Sequence, residues 1–389
     1  MRNITLADND TIFTRLLPLT FTRPISELLC GIRTIRRKWH RAIPGNYFYS
    51  TAPWLSELYP KAPVITGDDL IIASHLLPSQ ELVEAISALH PGQALILPDG
   101  SVAASCGPEP SGGYDNITTD LEPKAITRPY HIFMLNGAEI AEEFPGVAAG
   151  RECVISPTCT VTGDPGLVHI APGARVEGAF LNTTGGPIYI GPGAEVMEGS
   201  CLRGPIAILE ESTVNMGAKI YGSTTIGPHC KVGGELNNVV MLGYSNKAHD
   251  GFLGNAVIGR WCNLGAGCVA SNLKNDYTEI KLWDYATRRF LRTGLQFCGL
   301  IMGDHSKAGI NTMFNTATVI GVGVNVHGSG YPRNFVASFS EGSTAGFAEV
   351  APQKFFSIAE RVMARRGITM SDAERRMFEK IYELTETFR

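Results

Sequence analysis

The chain has 389 residues, 44% hydrophobic and 18% charged, enough length for more than one domain and enough apolar material for sizeable cores. Its 33 basic and 37 acidic residues leave a net charge of −4, which argues against bulk attraction to nucleic acid or anionic membrane while allowing a local basic site. No apolar run reaches the roughly 18 residues of a bilayer span. Met1–Asp10 turns acidic where a secretory leader carries its apolar segment, and nine cysteines without a tight framework predict reduced thiols in the cytoplasm.

Residues 1–150 predict a small α/β domain. Val64–Thr66, Ala94–Leu97 and His131–Leu135 read as buried strands, while Ile25–Trp39 and Ser79–Leu89 carry apolar residues at helical spacing. Strand alternating with helix predicts a largely parallel sheet. Ser111–Asn116 reads as a loop.

Residues 151–350 carry an internal repeat. Ile190, Val196, Leu202, Ile208, Val214, Ile220, Ile226 and Val232 follow a step of six without a miss. Shorter runs keep the step: Ile155, Val161 and Leu167; Phe252, Ile258 and Leu264; and Met302, Ala308, Phe314, Ile320 and Val326. The fourth position after the aliphatic is mostly small, as in Ala194, Ser200, Ser212, Ala218, Thr224 and Cys230. A period of six fits neither a helical stripe nor simple strand alternation. It fits a triangular left-handed parallel β-helix, in which the aliphatic fills the narrow interior and only a small side chain fits near the corner. A β-sandwich with a chance period is the weaker alternative. Cys153, Cys159, Cys230, Cys262 and Cys268 fall on the small position and read as buried packing residues. Residues 351–389 predict a C-terminal helical arm. Ser371–Glu374 is a capping box, and Met377, Phe378, Ile381, Leu384 and Phe388 share one face, to cover the coil or to reach a neighbouring subunit.

The repeat breaks between Val232 and Phe252 and between Leu264 and Met302, where loops and a binding side are expected. Polar residues gather there, and His249 is a general-base candidate because its ordinary pKa is ~6.5. Asn246–Gly259, Asn263–Gly267 and Ser271-Asn272 resemble the acetyltransferase half of the GlmU family, bifunctional enzymes with glucosamine-1-phosphate acetyltransferase and N-acetylglucosamine-1-phosphate uridylyltransferase activities.

The resemblance implies that His249 deprotonates an amine that attacks the thioester of acetyl-CoA. It implies substrate contacts at Glu235, Phe252, Asn263 and Asn272, coenzyme contacts at Ala266, Gly309 and Ile310, and a homotrimer with shared active sites. Asn237 stands where the family has a phosphate-binding lysine, and Leu273 where it has a tyrosine. Lys219, Lys247, Lys274 and Lys281 are the alternatives for the phosphate contact. Lys274–Gln296 is a long insertion relative to the family.

Leu16–Ile25 and Gly31–Ile35 resemble the opening of a variant GlmU-like group with a short, divergent nucleotidyltransferase-like domain. That resemblance implies nucleotide contacts at Arg15 and Arg23, and the similarity of Val64–Leu70 to the family's strand and Gly-Asp turn, here Gly67-Asp68, implies Mg²⁺ at Asp68, in an active uridylyltransferase using UTP or in a degenerate fold kept for structure or regulation. The leading expectation is an N-acetyltransferase for an amino-sugar phosphate, coupled to nucleotidyl transfer that yields a UDP-sugar. The alternatives are a nucleotidyltransferase whose coil only oligomerises or regulates, a sugar O-acyltransferase, and a scaffold with neither activity.

Overall fold

Two patterns of hydrophobicity, α/β alternation and a step of six, become two separate units. The structure is a computed structural model describing residues 2–150 and 153–389, so Arg151, at the expected domain boundary, lies outside the described residues. The first unit comprises the residues up to Leu16, Thr22–Leu28 and Arg33–His131; the second takes Leu17–Phe21, Leu29–Ile32 and the chain from Ile132. No helix among the described residues is long and apolar enough to cross a membrane.

In the first unit, strand Asn3–Ala7 lies between Asn46–Ser50 and Leu70–Ala73 and runs parallel to both. Val102–Cys106 follows antiparallel, then Gln93–Ile96 and Asp115–Thr118. The sheet is therefore mixed, where a largely parallel one was expected. The cause is a tight turn at Asp99-Gly100. The Leu97 N–H donates to the Ser101 carbonyl at 2.9 Å, and Gly100 takes φ 82°, a region open to glycine. So short a connection can only reverse the chain.

Side-chain caps start the helices: Asn9 for α1 (Asp10–Arg15), Thr34 for α2 (Ile35–Ala42) and Ser79 for α3 (Gln80–Ser87). Only the last part of the helix expected over Ile25–Trp39 forms, because Ile25–Glu27 is an isolated 3-10 turn and Gly31 sits at φ 80°. Val64–Thr66 is irregular, with Val64 exposed. His131–Leu135 belongs to α4 (Pro129–Ala148), since a short buried apolar run reads alike as strand or helix.

The second unit is a parallel β-helix with three ladders. One ladder stacks the two-residue strands Lys231–Val232, Asn246–Lys247, Asn263–Leu264, Lys307–Ala308 and Asn325–Val326. A second passes through Lys219–Tyr221, residues 235–237, residues 252–254, Val269–Ala270 and Met313–Phe314. The third passes through Thr224–Ile226, residues 239–241, residues 256–258, Ile301–Met302 and Val319–Ile320.

The step-six aliphatics from Ile190 to Val232 all point inward and are buried. Each contributes about 1.5–3 kcal/mol by leaving water, and only against its neighbours in the stack. The small positions are buried too, with their hydroxyls satisfied: Ser212 Oγ donates to the Gly227 carbonyl at 2.7 Å and Ser200 Oγ to that of Asn215 at 3.1 Å. All nine cysteines are free, and burial pushes the Cys230 and Cys262 thiols up to about 12. Within this unit α4 approaches the coil closely at Gly137, where a Cβ would lie 2.2 Å from Ser223 Oγ.

The first expected break is no loop. After Val232 the inward residues are Leu236, Met241, Lys247, Leu253 and Ile258, so the step shortens and then recovers while the coil stays continuous. Leu253, not Phe252, is the interior residue, and Phe252 faces outward. The second break does protrude, as a hairpin pairing Lys281–Asp284 with Arg289–Arg292.

One corner carries rings in the left-handed backbone region: His229, Tyr244, Trp261 and His305 at φ 57°, 55°, 62° and 58°. Such a conformation costs about 1–2 kcal/mol outside glycine. The rings stack in order at centroid spacings of 4.7, 4.4 and 6.0 Å, which offsets part of that cost. Instead of one terminal helix there are two, α5 (Pro352–Ala364) and α6 (Asp372–Leu384). Their apolar faces cover the chain's own coil rather than extend as an arm: Phe355 and Phe378 pack edge-on against His305 at 5.7 and 5.2 Å.

Candidate functional site

The corner after strand Asn246–Lys247 projects His249 and Asp250 into solvent. Beside it the ladder face carries Asn246, Asn263, Lys231 and Lys307, and the end of α5 adds Arg365 and Arg366. Together they line a groove of about 530 Å³, with Tyr244 and Trp261 as its aromatic wall. Arg366 donates to Asn246 Oδ1 at 3.2 Å, which fixes the end of α5 against the face. Four cations and no carboxylate line this groove among the described residues, so it is built to receive an anion. His249 and Asn263 were expected from sequence. Lys231, Lys307, Arg365 and Arg366 were not; the Arg365-Arg366 pair at the end of an amphipathic helix was the signal available.

The other expected residues fall into two neighbouring rows. Lys219, Glu235 and Phe252 are consecutive partners on the second ladder, and Tyr221 Oη donates to Glu235 Oε1 at 2.5 Å. Asn272 Nδ2 donates to Asn255 Oδ1 at 2.7 Å and lies over Gly254, where an added Cβ would come within 2.6 Å of both Asn272 Nδ2 and the Phe252 ring. Ala266, Gly309 and Ile310 continue the corner that bears His249: Gly267 N–H donates to the Asp250 carbonyl at 3.0 Å, and Asn311 N–H to that of Ala266 at 2.7 Å. Ile310 is 71% exposed there.

Lys247 is a correction. Expected to contact substrate, it occupies the inward position next to Val232 and is fully buried. Its ammonium donates to the Gly233 carbonyl at 3.2 Å and to the His249 carbonyl. Burial holds its pKa below the usual lysine range, opposed by Cys268 and Asp250. It therefore ties down, from inside the coil, the corner on which His249 stands.

The first unit has its own cavity, of about 750 Å³, at the carboxyl ends of strands Asn3–Ala7 and Leu70–Ala73. Open α/β sheets place ligands at these ends. Arg15 lines it, together with Asp8, His75, Asp99 and Glu122, none of which the sequence had singled out. Asp8 accepts from Ser74 Oγ at 2.6 Å, Thr51 Oγ1 at 2.5 Å and Ile25 N–H at 3.2 Å, and burial pushes its carboxyl up to about 6. Burial lowers His75 to about 4, against the pull of Asp99.

Arg23 and Asp68 do not join Arg15. Arg23 is only 2% exposed and lies outside the cavity lining. Asp68 lies at the opposite end of these strands, roughly 15 Å away by strand rise, where it pairs with Arg2 at 3.4 Å. A carboxylate engaged by a guanidinium and remote from Arg15 does not fit a Mg²⁺ shared with phosphates in this cavity.

Residues 4–152 match the family model described as sugar nucleotidyl transferase. Curated relatives called bifunctional protein GlmU include those of Trichormus variabilis, 28% identical over 43% of this chain and 35% of its own, and Pelobacter propionicus, 31% identical over 33% and 26%. That of Methanocaldococcus jannaschii is 28% identical over 30% and 26%. The chain thus spans about a third or less of the length of these relatives. A solved structure of an Arabidopsis UDP-N-acetylglucosamine acyltransferase overlaps 60% of this chain and 84% of its own at 16% identity, with a TM-score of 0.21, too low to carry weight. The chain is similar in sequence to GlmU proteins over part of its length, and residues 4–152, which match the sugar nucleotidyl transferase model, are followed by a parallel β-helix.

Proposed function

We propose that this protein is an acetyl-CoA-dependent N-acetyltransferase acting on an amino-sugar phosphate such as glucosamine-1-phosphate. The observation that carries this reading is the groove in which His249 and Asn263 meet four cations without a carboxylate. The acceptor's phosphate lies among Lys231, Lys307, Arg365 and Arg366, the contact for which Asn237 lacks the charge. The His249 imidazole takes the proton as the amine nitrogen attacks the acetyl carbonyl. The new C–N bond forms, the C–S bond breaks, and the proton taken up by His249 passes to the departing sulfur, so that coenzyme A leaves as its thiol. The corner through Ala266, Gly309 and Ile310 offers the coenzyme an approach beside His249. Shared sites in a homotrimer belong to the same proposal.

The test is thiol release from acetyl-CoA with glucosamine-1-phosphate. The proposal expects release that depends on the acceptor's amine and is lost in His249→Ala; unchanged release in that variant would refute it. A sugar bearing only hydroxyls in place of the amine tests the O-acyl alternative.

The match of residues 4–152 favours a second activity, nucleotidyl transfer from UTP to a sugar-1-phosphate in the cavity beside Arg15. Mg²⁺, the ion the resemblance implies, would shield phosphate charge there, and the carboxylates at hand are Asp8, Asp99 and Glu122 rather than Asp68. Pyrophosphate release from UTP, lost in Arg15→Ala and retained in Asp68→Ala, is the expected result.

A further inference from the structure

The hairpin of Lys281–Asp284 and Arg289–Arg292 stands outside the hexapeptide rhythm, and alternation sorts its side chains. Leu282 and Asp284 are buried on one side. Lys281, Trp283 and the cross-strand partner Phe290 share the other, which closes a groove of about 750 Å³ against Lys274, Arg333 and Phe335. The groove has two kinds of wall. Trp283 stacks on Phe335 at 4.3 Å and 13°, and Phe290 meets Trp283 edge-on at 5.3 Å while staying 42% exposed. Lys281 and Arg333 are exposed, and Lys274 is held in place by the Glu279 carbonyl at 2.9 Å. No carboxylate lines this groove among the described residues.

We propose that this groove binds a nucleoside phosphate, with the base against Phe290 and Trp283 and the phosphates among Lys274, Lys281 and Arg333. Cations alone would accept any anion and rings alone any apolar plane; a phosphorylated heteroaromatic ring answers both walls at once. The volume suits such a ligand. The groove shares no lining residue with the His249 groove or with the cavity of the first unit, so it is a third site and stands whether or not acetyl transfer does. Two sources carry this chemistry: the 3′-phospho-ADP end of a coenzyme and a uridine nucleotide.

Equilibrium binding to the full chain tests it, with adenosine 3′,5′-bisphosphate, UDP and pyrophosphate as probes. The variants are Lys281→Ala/Arg333→Ala and Phe290→Ala, all at exposed positions, with the wild-type circular dichroism spectrum as the control for folding. The double variant should weaken nucleotide binding by about tenfold or more. Phe290→Ala should weaken the nucleotides and leave pyrophosphate unchanged, because pyrophosphate has no ring to stack. A response confined to the bisphosphate assigns the coenzyme end, and one confined to UDP assigns a uridine nucleotide. Nucleotide affinities unmoved by both variants, or absent from the wild type, would overturn the proposal. An equal loss for pyrophosphate in Phe290→Ala would do the same.

Discussion

The His249 groove and the cavity beside Arg15 are built in opposite ways. In the groove the charges are cationic, Lys231, Lys307, Arg365 and Arg366, and His249 itself is exposed on a corner of the coil. In the cavity the titratable groups include acids, and two of the groups, half-buried Asp8 and buried His75, are displaced toward their neutral forms. The coil leaves polar side chains such as His249 outside because its narrow interior is filled by aliphatic and small residues. The sheet can draw charged groups into a recess at its strand ends and shift their protonation instead. The contrast makes the groove a place where substitution should change catalysis more than folding, and the cavity a place where stability should follow pH.

The largest effect expected is in the groove. His249→Ala should lower acetyl transfer by about 10²–10⁴-fold, the usual worth of a positioned general base, with little change in urea stability because the side chain is exposed. A large stability loss would assign His249 to the scaffold and blur the contrast.

Next is Lys247→Ala, which removes a buried side chain and the donor to two carbonyls. It should cost about 2–5 kcal/mol in chemical denaturation, as other large-to-small interior changes do. Lys247→Met keeps the volume, relieves the desolvated charge and should cost less. An alanine variant as stable as wild type would show that the lysine is not interior.

The cavity should reveal itself through pH. Asp8 titrates at about 6 in the folded protein and near 4 when unfolded. Between those values the folded chain holds a proton the unfolded chain has lost, so this group lowers stability as pH rises. His75 titrates at about 4 folded and near 6.5 unfolded, so it raises stability as pH rises through the same interval. The two slopes oppose each other in the wild type. Relative to wild type, Asp8→Asn should make the slope more positive and His75→Gln more negative, each by up to about 1.4 kcal/mol per pH unit. Urea titrations of both variants and the wild type at pH 4, 5 and 6 check this, and changes of the same sign in both variants would contradict these protonation states.

The smallest effect is at the rim. Arg366→Ala should raise KM for the phosphorylated acceptor by about five- to tenfold with a lesser change in kcat, as loss of one charge-assisted contact does. A kcat loss without a KM change would place Arg366 outside acceptor binding.

The coil was legible because its interior repeats. Each inward position from Ile190 to Val232 faces the same width, so one small set of aliphatics recurs at a fixed step. His249 and Asn263 were legible as polar residues at the disturbed rungs. Lys247 was not, since the step shortens through Leu236 and Met241 and brings a lysine, normally an outer residue, to the inward position. Arg365 and Arg366 were hidden by distance along the chain, because only the docking of α5 brings them to Asn246. Asp8 and Ser74 immediately follow parallel strands, a signal that could have located the cavity. The Gly67-Asp68 turn drew attention to the wrong end of the sheet instead.

The most direct test of the central claim is a structure of the protein with coenzyme A and glucosamine-1-phosphate bound. It should show the phosphate among Lys231, Lys307, Arg365 and Arg366, with the amine within hydrogen-bonding reach of the His249 ring. A phosphate bound elsewhere, with the amine turned away from His249, would contradict it.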